Sequence, residues 1–257
     1  MTEGNRHPAP RASPGSLPFE PVKHHRTAWG VIGSGLLVLG ACSTSPTNPS
    51  AGPAPRPSTS APAVTDTTVP AFAGTTLRVT AADLPTSWRS GCPVAPDDLR
   101  RLELTYWGFD DQAHTGALVV HASEAGAVTE AFRRLYDQRF PIRRMEPIDA
   151  YGGSDDASTA ADNTSGFNCR NAVATGPSQW SAHAYGRAID VNPVENPYVL
   201  RGEVLPPAGA AYADRSDLRP GMAVRTGELV AAFAAVGWSW GGGWANPDYQ
   251  HFSATGN

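Results

Sequence analysis

Two stretches of this chain alternate apolar and polar residues with the period of a strand. Leu102-Glu-Leu-Thr-Tyr-Trp107 is one and Ala117-Leu-Val-Val-His121 is the other. Asp110, Asp111 and Gly116 lie between them, so the pattern predicts a hairpin with its turn there. The period then lengthens. Val128, Phe132, Leu135 and Tyr136 fall on one face of a helix predicted from a Ser123 cap to about Arg139. A second helix is expected after Thr226, with Leu229, Val230, Phe233 and Val236 as its apolar stripe and Gly237 as its stop. Trp238 to Trp240, and the segment around His251 and Phe252, read as short strands. Strands and helices mixed without regular βαβ alternation predict an α+β fold: a small antiparallel sheet with flanking helices.

The pattern also divides the chain. Lys23, His24, His25 and Arg26 precede a short apolar run, Ala28 to Leu39. Roughly a dozen apolar residues is too short to cross a bilayer and suits the core of a signal peptide. The run closes on Leu39-Gly40-Ala41-Cys42, which resembles the lipobox of bacterial lipoproteins. That resemblance implies removal of residues 1–41, acylation of Cys42, and a mature protein exported and anchored by lipid to the outer face of the cell membrane. The alternative is an ordinary secretory signal with an incidental cysteine. Residues 42–74 are mostly Ser, Thr, Pro, Ala and Gly, which cannot bury enough surface to offset their ordering entropy, so a disordered linker is expected. Residues 75–257 form the expected catalytic domain, taken to be a monomer.

Charge excludes one class of function. The chain carries a formal net charge of −4. Residues 42–257 hold 16 basic against 22 acidic side chains, a net of −6, and no basic run. No electrostatic footprint for nucleic acid is present. Three cysteines occur, Cys42, Cys92 and Cys169. With Cys42 lipidated, two remain in an oxidising compartment, and a Cys92–Cys169 disulfide is expected over two separate buried thiols.

The candidate chemistry lies in two segments. The first is Ser181-Ala-His183-Ala-Tyr-Gly186-Arg-Ala-Ile-Asp190-Val-Asn192. Ile189 and Val191 suggest a strand, whose alternation sends Asp190 to the opposite face. A carboxylate in such an apolar setting needs a partner, and a metal is one. Gly186 permits a tight turn that lets His183 and Asp190 converge. The second segment, Trp244-Ala-Asn-Pro-Asp248-Tyr-Gln-His251-Phe252, supplies a second imidazole. Two histidines and one aspartate suit zinc and leave one coordination position for water, as in catalytic sites. Asp248, three residues before His251, is the candidate to take the water's proton.

Ser-x-His-x-x-Gly-x-Ala-x-Asp followed by Asp-x-x-His resembles the D-alanyl-D-alanine carboxypeptidase and L-alanyl-D-glutamate endopeptidase family of zinc peptidases. These share a metal site with lysostaphin-like and Hedgehog-like proteins. Asp162-Asn-Thr-Ser-Gly-Phe-Asn-Cys-Arg170, Asn192-Pro-Val-Glu-Asn-Pro-Tyr198 and Gly237-Trp-Ser-Trp-Gly-Gly-Gly-Trp244 are similar to its endopeptidase-type branch. The resemblance implies that Zn2+ is held by His183, Asp190 and His251, that Asp248 is the base where many relatives have glutamate, and that peptidoglycan stem peptides are the substrate. Arg170 matches an arginine that supports the oxyanion in the wider family, and its guanidinium suits that task. Ser181 is a candidate to hydrogen-bond a ligand or substrate, and Trp240 and Trp244 to wall the cleft. The rival expectation is a non-catalytic module that uses the same fold to bind wall or a partner.

Overall fold

The structure, a computed structural model, describes residues 69–173 and 177–256. The signal segment, Cys42 and most of the linker lie outside the described residues. No helix among the described residues is long and apolar enough to cross a membrane.

The chain first builds a three-stranded antiparallel sheet in the order β1 (Gly74–Arg78), β2 (Leu99–Trp107), β3 (Ala113–His121). The β2–β3 hairpin is the predicted one, with Leu102 opposite Leu118. Its strands are longer than the alternation suggested, and Gly116 lies inside β3, opposite Leu104, rather than in the turn. A side chain there would meet the Met145 carbonyl oxygen at 2.5 Å, so glycine serves a close backbone approach.

Helix α1 (Ala125–Asp137) lies on this sheet and buries Val128, Phe132, Leu135 and Tyr136, the predicted stripe. The expected Ser123 cap is absent, because that hydroxyl bonds locally to His121 and Glu124 and a short 3-10 turn precedes the helix. A one-and-a-half-turn helix, α2 (Asp155–Ala160), follows, capped by Ser154, whose Oγ accepts the Ala157 N–H. Helix α3 (Glu228–Ala234) begins after Gly227 rather than at a Thr226 cap and is stopped by Gly237 at φ +83°. Phe72 packs on Tyr136, and the Tyr136 hydroxyl donates to the Pro70 carbonyl, so residues just before β1 already join the body.

The second sheet is small and carries the chemistry. Its order is β4 (Ala188–Asp190), β8 (His251–Ser253), β7 (Ser239–Trp240), all antiparallel. A separate hairpin joins β5 (Tyr198–Leu200) to β6 (Glu203–Leu205). The main core runs from Leu102, Leu104, Leu118 and Val120 through α1 to α3 and on to Ile189, Val191 and Phe252. Phe233 is the link: its ring stacks on Phe252 at 4.4 Å and meets Phe132 edge-on at 6.0 Å. Each such aromatic pair is worth about 0.5–1.5 kcal/mol beyond its buried area. The other face of the first sheet packs Leu99 and Val119 against Phe167 and Cys169. Here the Cys92–Cys169 disulfide forms as expected, with Cα atoms 5.9 Å apart. The architecture is α+β with small antiparallel sheets, as the pattern predicted.

Candidate active site

The two halves of the candidate site are joined by strand register. Asp190 on β4 sits directly opposite His251 on β8. Alternation along these strands does the rest. Ile189, Val191 and Phe252 enter the main core, while Asp190 and His251 turn to the other side. Asp190 is also paired along its other edge, where it exchanges both backbone hydrogen bonds with Ser165 at 3.0 Å.

His183 arrives on a 3-10 turn, Ala182–Tyr185, capped by Ser181, whose Oγ accepts the His183 N–H at 3.3 Å. Ser181 therefore fixes the backbone of the first histidine. Gly186 ends the turn at φ +64°. A Cβ there would lie 2.5 Å from the His121 nitrogen, which donates to the Gly186 carbonyl at 2.8 Å. Phe167 N–H donates to Val119 O in the same way. The free edge of β3 thus anchors the site's loops to the first sheet.

The resulting triangle is tight. His183 Nε2 lies 3.1 Å from Asp190 Oδ2 and 3.3 Å from His251 Nδ1, and His251 Nδ1 lies 3.2 Å from Asp190 Oδ1. The tautomer of His183 follows from its other nitrogen. Nδ1 is 2.7 Å from the Gly166 carbonyl, which can only accept, so Nδ1 carries the hydrogen and Nε2 presents a lone pair. That lone pair faces a buried carboxylate and a second imidazole. Burial alone would raise the Asp190 pKa; positive charge at its side, such as protonated His183 and then His251 would supply, holds it well below the ordinary carboxylate range. Such a set asks for a cation at its centre. A tetrahedral site with 2.0–2.1 Å bonds has edges of roughly 3.3–3.4 Å, close to the spacings found here. Among the described residues these three form the one group of His, Cys, Asp or Glu able to hold a metal ion.

Asp248 lies alongside, nine-tenths buried, on the segment that turns into β8. Burial first, and then the charge of Asp190, push its carboxyl up to about 7, against the opposing charges of His251 and Arg170. Asp248 Oδ1, Gln250 Oε1 and His251 Nε2 are buried without a partner among the described residues. Three unpaired polar atoms around one triangle leave hydrogen-bonding capacity for molecules that enter the cleft.

The cleft itself measures about 830 Å³ and is lined by His183, Asp248, His251, Arg170, Ser181 and Trp244, among others. Trp244 forms part of the wall, 5.2 Å from the His251 ring. Trp240, expected beside it, does not line the cleft. Its indole N–H donates to the Tyr249 carbonyl and its ring packs on the main core. Arg170 is tied down, with Nε 2.8 Å from Asp155 Oδ1 in an ion pair that lacks hydrogen-bond alignment.

Several site residues escaped the sequence reading. Gly166 stood inside a quoted motif, but its carbonyl's role depends on a loop reaching His183. Asp155 opens α2, a helix signalled only by Ser154 and two acidic residues in its first turn. Tyr198, whose backbone bridges to Asp248, also lines the cleft.

A protein-family model described as D-alanyl-D-alanine carboxypeptidase matches residues 175–254, the stretch that holds His183, Asp190, Asp248 and His251. Within residues 175–254 the resemblance carried by the motifs stands on that match, and the match supports peptidase activity; the Asp162–Arg170 motif lies outside it. No curated protein and no solved structure matches the chain.

Proposed function

From the family match and the three converging side chains, we propose that the protein is a zinc peptidase that cleaves the stem peptides of bacterial peptidoglycan. The observation that carries this reading is the His183–Asp190–His251 triangle, with edges of 3.1–3.3 Å and both histidines lining the cleft. His183 Nε2, Asp190 and His251 Nδ1 are the zinc ligands. The bound ion supplies positive charge that acidifies water and polarises a carbonyl.

The chain's own groups do the remainder. Asp248 takes the proton of the attacking water as the oxygen adds to the peptide carbonyl. Arg170 offers fixed positive charge to the oxygen that becomes anionic. The C–N bond then breaks, and Asp248 returns the proton to the departing amine. A carboxylate beside the attacking water can do both, accepting as the anion and donating as the acid. A cleft of about 830 Å³ suits a few peptide residues, with Trp244 and Ser181 on its wall. The lipobox-like sequence ending at Cys42 supports a tether to the membrane's outer face, within reach of the wall. Two bonds remain in view, D-Ala–D-Ala and L-Ala–D-Glu.

Digestion of purified muropeptides by residues 42–257, read by mass spectrometry, tests the proposal and separates the bonds. Loss of one alanine marks the first, and a new free amine on D-glutamate marks the second. A chelator should abolish either product. Asp248→Asn should keep its zinc and lose about 10²–10⁴-fold in turnover. Unchanged cleavage by that variant, or no cleavage by the parent protein, overturns the assignment.

A further inference from the structure

Arg170 sits in the cleft between two acids. Asp155 and Asp248 both line this cleft. The contacts of Arg170 are with Asp155 and its own loop: Nε is 2.8 Å from Asp155 Oδ1, and Nη1 donates to the Asn171 carbonyl at 3.3 Å. Both members of the pair are mostly buried, with side chains 22% and 27% exposed.

The supports of this pair are fixed on every side. Asp155 is the first residue of α2, held by the Ser154 cap. Asn168 Nδ2 donates to Asp155 Oδ1 at 3.4 Å, and the Asn168 backbone N–H donates to the His183 carbonyl at 3.2 Å. Cys169 is locked by its disulfide, and the Arg170 carbonyl accepts the Ser181 N–H at 3.1 Å. One connected strip therefore joins Asp155, Arg170 and the turn that presents His183.

We infer that Asp155 is a positioning residue: it holds the Arg170 guanidinium at the cleft wall, so that the cation stays aimed at the reacting carbonyl. The inference rests on the proposed peptidase reading and adds a residue of the cleft wall that lies outside the metal triangle.

The test is a double-mutant cycle on residues 42–257 with a synthetic stem pentapeptide. Arg170→Ala should lower kcat by 100-fold or more. Asp155→Asn, close in shape and without charge, should lower kcat about 10–100-fold with KM changed less than threefold. Adding Asp155→Asn to Arg170→Ala should cost nothing further, since Asp155 acts only through the arginine. Zinc content by elemental analysis and Tm should match the parent in Asp155→Asn, which separates positioning from folding. Full turnover in Asp155→Asn, or losses that multiply in the double variant, would overturn the inference while leaving the peptidase reading intact. Parent-like turnover in Arg170→Ala would instead remove the arginine's proposed role, and the inference with it.

Discussion

A carboxyl group shut away from water keeps its proton, and Glu195 is such a group. Burial first, and then the neighbouring Asp162 carboxylate, raise its pKa to about 8, against the opposing charge of Arg143 at 3.5 Å. In the unfolded chain it titrates near 4.5. Between those values the folded protein binds a proton that the unfolded chain does not, so stability falls as pH rises from about 4.5 to 8. Glu195→Gln should flatten this slope and raise Tm at pH 8.5 relative to the parent, with little change at pH 5. Thermal melts across that range check it, and parallel curves for the two proteins would refute it. Glu195 belongs to a polar knot in the Asn192–Tyr198 motif. Asn192 accepts the Arg143 N–H through Oδ1, and Asn196 accepts the Ala223 N–H through its own, while each Nδ2 donates to Gly221 O. The motif was visible in the sequence as a resemblance, but its work was not. These side chains satisfy backbone groups brought from remote segments, which no local pattern encodes.

At the scale of elements, the turn between His183 and β4 carries the tightest constraint. Gly186 combines left-handed φ with a close approach to β3. Gly186→Ala adds a Cβ 2.5 Å from the His121 nitrogen and forces alanine into the left-handed region. A loss of roughly 2–3 kcal/mol is expected from the strain and the weakened His121–Gly186 hydrogen bond. Because the turn presents His183, zinc content should fall with it. Chemical denaturation and elemental analysis would measure both, and a variant with parent stability and full zinc would contradict the account. The element-level reading of the sequence succeeded where periodicity was long, as in α1. It slipped at the ends of elements, where Ser123 and Thr226 promised caps that the chain did not use. Hydroxyl side chains have several local partners of similar strength, so the tertiary setting chooses among them.

For the whole molecule, the disulfide is the longest covalent tie. It joins residues 77 apart and pins the segment before Arg170 to the region leading into β2. In the chain-entropy picture a loop of that length stabilises by roughly 4–5 kcal/mol. Replacing both cysteines by serine should lower Tm markedly and weaken catalysis through looser placement of Arg170. Calorimetry on the double variant, beside the reduced parent, measures the first effect. An unchanged Tm would mean that the unfolded chain is already compact there.

Residue types and spacings alone determined the α+β class, the apolar stripes of α1 and α3, the disulfide partners, and the three side chains that meet at the site. Those properties follow from local periodicity, from counting, or from motifs whose chemistry admits few readings. Only the tertiary structure decided that Trp240 belongs to the core and Trp244 to the cleft, that Gly166 sets the tautomer of His183, and that Asp155 faces Arg170. Each of these depends on which distant segments share a surface, and the β4–β8 register and the anchoring of loops to the edge of β3 settle that after the chain has closed on itself.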